Sequence, residues 1–127
     1  IIVVFINYKY TKHTKGHLMD IYTIYADHNE SIDAHGFVSK MKLFLDKLVE
    51  NQRMVSYRIT RMKLGFRSMD LPEFRIDMEF KNMQQLDDAM SGVIHNMNDI
   101  ETEHHGFNQY VDVETIQHFL YRDFPDE

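Results

Sequence analysis

Seven consecutive residues, Phe74-Arg75-Ile76-Asp77-Met78-Glu79-Phe80, alternate apolar and charged without a break. Neighbouring side chains point to opposite faces only in a β-strand, so this run commits one face to a core and the other to polar surroundings. Such a strand needs neighbours to satisfy its backbone and an apolar layer to cover its hydrophobic face. The rest of the chain must supply both.

Asp20 to Asp27 is aromatic and β-branched with polar ends and reads as a first strand. From Ser31 to about Gln52 the period changes: Phe37, Val38, Met41, Phe44, Leu45, Leu48 and Val49 form the stripe of an amphipathic helix. Ser31 or Asn29 is the expected cap, and Gly36, which costs about 1 kcal/mol in a helix interior, weakens the first turn. Met54 to Phe66 is strand-like, but Val55, Tyr57 and Ile59 share one parity and Met62, Leu64 and Phe66 the other. A bulge near Arg61 is expected to produce that switch. Ser68 to Pro72 supplies a turn, after which Glu73 to Phe80 returns as the second arm of a hairpin.

Asn82-Met83-Gln84-Gln85 resembles a capping box and opens a helix with Met83, Leu86, Met90, Val93, Ile94 and Met97 on one face. This helix is expected to fade near Asn98. Gly106 to Val113 alternates loosely as a fourth strand, and Thr115 to Tyr121 carries Ile116, Phe119 and Leu120 at helical spacing. The order β-α-β-β-α-β is the split βαβ arrangement of ferredoxin-like α+β folds, with both helices on one side of a four-stranded antiparallel sheet. By parity the covered side holds Tyr57, Ile59, Phe74, Ile76, Met78, Phe80, Val111 and Val113. Arg58, Thr60, Arg75, Asp77, Glu79, Tyr110 and Asp112 fall on the other side, a polar face of mixed charge. That face either meets water, as antiparallel sheets commonly do, or packs against a second copy of the chain as a homodimer, for which mixed charge permits self-complementarity.

At 127 residues the chain fits one domain, and a domain of this size buries roughly two-thirds of its unfolded surface. No apolar run approaches the roughly 20 residues that cross a bilayer, so no membrane partner is expected. Cysteine is absent, which removes thiolate chemistry and fits a reducing, cytoplasmic setting. Three of the 14 lysines and arginines lie in residues 1–18, where there is no acid; the remaining 11 face all 20 acids, a net of −9. That balance argues against nucleic-acid binding, which depends on clustered cations.

Residues 1–18 read as an N-terminal extension upstream of a natural start at Met19, with residues 19–127 forming the domain. Ile1 to Tyr10 is rich in amino acids with AT-rich codons, and Lys15-Gly16 can be encoded by a sequence like a ribosome-binding site. The apolar run ends at Ile6, short of the 7 to 15 residues of a secretory signal. A further strand is the competing reading.

Chemistry-bearing residues are scattered. His104-His105, with Glu101 and Glu103 upstream and His95 or His118 as further ligands, is the densest set of metal donors, but its spacing matches no known site and a solvated loop before the last strand is the favoured reading. No metal or other cofactor is expected. His28, at the end of the first strand, sits where a loop can present a general base, or where it simply assists the helix start. His95 borders the apolar face of the second helix. Tyr22 and Tyr25 are the remaining candidates for polar groups at a small-molecule site between sheet and helices. Met83, Met90 and Met97 recur every seven residues, as a ligand wall or as ordinary core. Arg58, Arg61 and Arg75 can hold an anionic group or form structural ion pairs. No phosphate loop, nucleophile elbow or dinucleotide fingerprint is present.

The element order, the long second strand and the closing Tyr121-Arg122-Asp123-Phe124-Pro125 segment resemble the dimeric α+β-barrel superfamily of ferredoxin-like proteins, over Met19 to about Glu127. Within it the chain looks most like an uncharacterised group of small bacterial proteins. The resemblance implies a homodimer through sheet faces. It also implies a choice of roles, since relatives include cofactor-independent monooxygenases acting on polycyclic substrates, haem-degrading enzymes, chlorite dismutases, muconolactone isomerases and stress-induced proteins. Haem degraders use an Asn, Trp and His constellation, and this chain has no tryptophan. Two functions follow as expectations. One is binding or transformation of a small hydrophobic or aromatic molecule, with His28, His95, Tyr22 and Tyr25 as its polar groups. The other is a non-catalytic homodimeric stress-related or regulatory module, marked by a filled core and an exposed patch of Phe119, Leu120 and Phe124.

Overall fold

A computed structural model of the protein describes residues 18–94 and 104–126. Their elements run β1 (Asp20–His28), α1 (Ala34–Glu50), β2 (Ser56–Arg61), β3 (Phe74–Phe80), α2 (Met83–Ile94) and β4 (Val111–Arg122). The strands form one antiparallel sheet in the order β2-β3-β1-β4. Among the described residues no helix is long and apolar enough to cross a membrane.

The alternation in β3 is realised residue by residue. Phe74, Ile76, Met78 and Phe80 are buried, and the charged residues between them lie on the opposite, more exposed face. Tyr57 and Ile59 pair with Met78 and Ile76 and share the covered face. From α1, Phe37, Met41, Phe44, Leu45 and Leu48 pack against them as the stripe predicts. The cap of α1 is Asp33 rather than Ser31 or Asn29: its Oδ1 accepts the Gly36 N–H at 2.7 Å, whereas Asn29 turns inward on Ser31. Gly36 has a packing reason, because a Cβ there would stand 2.8 Å from Ile32 Cγ1 and 3.0 Å from Asp33 Oδ1.

Asn82 caps α2, its Oδ1 accepting Gln85 N–H, while the return bond differs from a capping box: Gln85 Oε1 accepts the N–H of Lys81, one residue before the cap. Gln85 is therefore buried, its amide also donating to the Gln52 carbonyl at 3.0 Å. This turns the inner face of α2 toward Gln85, Leu86 and Ala89, and Met83, expected inside, is exposed. Met97 lies outside the described residues.

Three further expectations are corrected. β2 stops at Arg61, so the parity switch marks the end of a strand and not a bulge; Leu64 and Gly65 both adopt left-handed backbone, with φ of 56° and 64°. The fourth strand does not span Gly106 to Val113. Residues 104–108 are helical, with Phe107 stacked on Phe44 at 5.9 Å, and Tyr110 packs against the core instead of the open face. Thr115 to Tyr121, expected as a helix, lies within β4, where Gln117–Arg122 pairs with Asp20–Tyr25. The free backbone edge of β1 supplies a hydrogen-bond partner for every second residue there, which outweighs a short apolar spacing.

The true irregularity lies between Tyr25 and Asp27 of β1, opposite Val113–Ile116 of β4. It turns Val113, expected inside, out to 65 % exposure, while Val111 stays buried. Val113→Asp is accordingly expected to change unfolding free energy by less than about 0.5 kcal/mol in a urea titration, whereas Val111→Asp lowers it by several times as much.

The helix layer is tied to the sheet by Tyr57, whose hydroxyl donates to Asp46 Oδ1 at 2.6 Å. Burial, then the hydrogen bond and charge of Asp46, push the phenol up to about 12. Because this folded-state value exceeds the ordinary one, the stabilisation is fully present below about pH 10 and is lost as pH rises through about 12. Following phenolate absorbance, one tyrosine is expected to ionise near pH 12, and Tyr57→Phe should remove that step.

Candidate functional site

The uncovered face of the sheet is built by the odd-numbered residues of β1, β3 and the end of β4, with Arg58 and Thr60 of β2. At its centre Thr23, fully buried, donates to Asp77 Oδ1 at 2.6 Å. Arg75 clamps the same carboxylate, Nε to Oδ2 at 3.0 Å and Nη2 to Oδ1 at 3.1 Å. The bond to Asp77 raises the Arg75 guanidinium above its ordinary value, so this cation keeps its charge. Arg75 also lies over the Tyr25 ring at 5.7 Å, and Tyr25 meets Phe119 edge to face at 6.1 Å. Phe119 stacks in turn on Tyr121, 6.3 Å between centroids. Ser56 holds Glu79 at 2.8 Å. Arg58 stands opposite Asp77 in register, yet has no hydrogen-bond or ion-pair partner among the described residues. A concavity of about 560 Å³ opens here between Ile21, Thr23, Arg58, Arg75, Asp77 and Tyr121.

A second concavity, about 750 Å³, lies where the β2–β3 loop approaches the irregular start of β4, lined by Asp27, His28, Arg67, Glu73, Asp112 and Glu114 among others. Its carboxylates serve the backbone in part: Asp27 Oδ1 accepts Glu73 N–H, and Asp112 Oδ1 accepts Glu114 N–H. Among the described residues no group of three or more His, Asp or Glu side chains is placed to hold a metal ion.

Among the described residues, Tyr22, Tyr25 and His28 do not converge on one site. His28 donates from Nδ1 to the Asn29 carbonyl at 2.7 Å and packs between Phe37 and Phe74. Tyr25 belongs to the open face. Tyr22, three residues earlier, points to the covered side, where its hydroxyl meets His118 Nδ1 at 2.8 Å and burial raises its phenol. His104 rests on Phe44 at 5.1 Å and His105 is its neighbour at 6.2 Å, while His95, Glu101 and Glu103 lie outside the described residues. Of the open-face residues, Phe119 is expected from sequence in an exposed patch, but helical spacing over Thr115 to Tyr121 conceals that it shares a strand face with Tyr121.

The strand order, the antiparallel register and the placement of the helices define a ferredoxin-like α+β domain. The chain belongs to a family of unknown function (DUF6614), whose profile matches residues 19–127. No curated protein matches the sequence. Among solved structures, a dimeric ferredoxin-like protein of unknown function from Jannaschia sp. CCS1 is similar, with TM-score 0.62 and 9 % identity over 81 % of this chain and 97 % of that one. A protein from Arabidopsis thaliana gives TM-score 0.65 and 7 % identity over 85 % and 98 % of the two chains. A dimeric protein of unknown function and ferredoxin-like fold from Bacteroides fragilis gives 0.53 and 7 % over 83 % and 96 %.

Proposed function

We propose that the protein is a homodimeric interaction module in which two copies pack their open sheet faces together about a two-fold axis. The observation that carries this reading is the surface itself: an aromatic row, Tyr25–Phe119–Tyr121, beside a fixed Arg75–Asp77 pair and Arg58, which has no ion-pair partner among the described residues. Phe119 and Tyr121 are 40 % and 52 % exposed, and aromatic and arginine side chains are those enriched at interface centres. A two-fold axis presents Arg58 of each copy to carboxylates such as Glu79 of the other, so the face complements itself. The Jannaschia and Bacteroides structures are described as dimeric, which supports a dimer without indicating which face forms it. A role exercised through the assembly fits better than turnover, because Tyr22, Tyr25 and His28 serve three separate surroundings.

One observation favours a second reading. The Tyr22–His118 pair on the covered side of the β1–β4 ladder, beside the half-exposed Leu120, offers a phenol and an imidazole to a small aromatic molecule. Native mass spectrometry of the purified full chain separates the two: the module predicts a mass of twice 15.3 kDa without adducts. A dimer with a stoichiometric small-molecule adduct lost in Tyr22→Phe supports the second reading, and a monomer contradicts the first.

A further inference from the structure

β4 is the outer strand on one side of the sheet, and its far backbone edge is open. The Asp123 N–H donates to the Met19 carbonyl at 3.0 Å, so the backbone of Asp123 faces β1. Facing alternates residue by residue in an antiparallel ladder. Gln117, Phe119 and Tyr121 therefore face β1 too, and the N–H and C=O groups of His118, Leu120 and Arg122 point away from the sheet. These groups have no hydrogen-bond partner among the described residues. Edge strands are ordinarily kept from pairing by shortness, charge, proline or a bulge. β2, the opposite edge, has six residues and carries Arg58 and Arg61. In β4 the irregularity ends at Ile116, and the run from Gln117 to Tyr121 holds no lysine, proline or acid. It presents Phe119, Leu120 and Tyr121 at 40 %, 51 % and 52 % exposure.

We infer that β4 pairs edge to edge, antiparallel, with β4 of a second copy, in the register that sets Leu120 against its own counterpart. Symmetry fixes this register. Under a two-fold axis, residue i opposite j implies j opposite i, and since only alternate residues face outward the axis passes between a residue and its own copy. Leu120 is the middle of the three outward-facing residues, so only there do all of them find partners: Leu120 on Leu120, His118 on Arg122 and Arg122 on His118. Between these, Phe119 of each copy meets Tyr121 of the other at the closer, non-hydrogen-bonded positions, and aromatic cross-strand pairs are stabilising. The stack of Phe119 on Tyr121 thereby becomes a cluster of four rings. Charge does not oppose the contact. Arg122, opposite His118, is held by Asp20 at 2.7 Å and reached by Asp126 at 3.9 Å; His118 Nδ1 meets the Tyr22 hydroxyl; Asp123 falls opposite the amide of Gln117. Pairing β4 with β2 of another copy would be heterologous and open-ended, whereas β4 on β4 closes.

This contact is independent of the packing of open faces. Leu120 lies on the covered side beside Tyr22, so edge pairing lengthens the sheet, four strands from each copy, and leaves its open face available. Two-stranded pairing over so short a run is marginal. It therefore joins face-packed dimers into four-chain assemblies only at high protein concentration.

The chain has no cysteine, so an introduced thiol reports only on itself. Leu120→Cys, treated at high protein concentration with a short bismaleimide, is expected to give a covalent dimer on a denaturing gel, because directly opposed residues of a hydrogen-bonded pair have Cα atoms about 5.5 Å apart. Leu43→Cys, at 49 % exposure on α1, is the matched control and should stay monomeric on that gel. In sedimentation the native protein should pass from two-chain to four-chain species as concentration rises. Leu120→Lys, which sets like charges face to face, should weaken that step about three- to thirtyfold and leave the two-chain species in place. Leu120 is half exposed, so neither change disturbs the core. Cross-linking of Leu120→Cys no greater than that of Leu43→Cys, a native protein with no concentration-dependent step, or a step unchanged by Leu120→Lys overturns the edge contact. Failure of the open faces to pack reads differently: the step then runs from one chain to two, and the Leu120→Cys cross-link persists.

Discussion

Replacing Phe119 and Tyr121 together with aspartate is expected to convert the dimer to folded monomers, weakening association by more than about a hundredfold. The two rings form the exposed end of the row that begins at Tyr25. Truncating central aromatic anchors commonly costs about 2 kcal/mol or more each, and every 1.4 kcal/mol is tenfold in Kd. Two-fold symmetry doubles the effect, placing four new carboxylates in one interface beside Asp77 and Glu79. Because both rings are substantially exposed in the subunit, far-ultraviolet circular dichroism should be unchanged. Sedimentation equilibrium across a dilution series reads the change, and an unaltered dimer in the variant places the interface elsewhere.

The largest effect on the subunit itself is expected at Phe37. It is fully buried, meets Phe74 edge to face at 5.5 Å, lies 5.8 Å from Phe107 and supports the His28 ring at 5.7 Å. It thus joins α1, β3, the 104–108 helical turn and the end of β1. Phe37→Ala removes that filling and leaves a cavity that four separate elements cannot close at once, a loss of about 3–5 kcal/mol. Set against total stabilities of about 5–15 kcal/mol, this is a large share of what keeps such a domain folded. Urea unfolding should show a much lower midpoint with an unchanged slope. A shift as small as that expected for Val113→Asp would contradict the placement of Phe37 at the junction.

What sequence alone makes legible here follows from which faces the subunit buries. β3 and α1 each have one face sealed by the other, so selection for burial wrote a clean period of two into Phe74–Phe80 and a helical stripe into Phe37–Leu48. β4 is an edge strand, and from Val113 onward no residue of it is fully buried. No single-subunit core imposes alternation there, and Ile116, Phe119 and Leu120 fall at helical spacing. The open-face aromatic row was hidden by the same cause, because two of its three rings belong to that strand. In α2 the periodicity misled differently. The cap fixes Gln85, whose amide satisfies both Lys81 and Gln52, and this polar anchor turns the helix away from the rotation its methionines imply. The Tyr22–His118 contact spans 96 residues and depends on the β1–β4 register, which local pattern does not specify.

The most direct test of the account is solvent access to the open face in the native protein, read by NMR relaxation from a soluble paramagnetic chelate. The sheet-to-sheet dimer predicts that Arg75, Phe119 and Tyr121 are shielded from the chelate, whereas exposed residues of α1 such as Lys42 and Leu43 are strongly broadened. Equal broadening of the open face and the outer surface of α1 would show that face standing in water, and would contradict the dimer on which the proposed function rests.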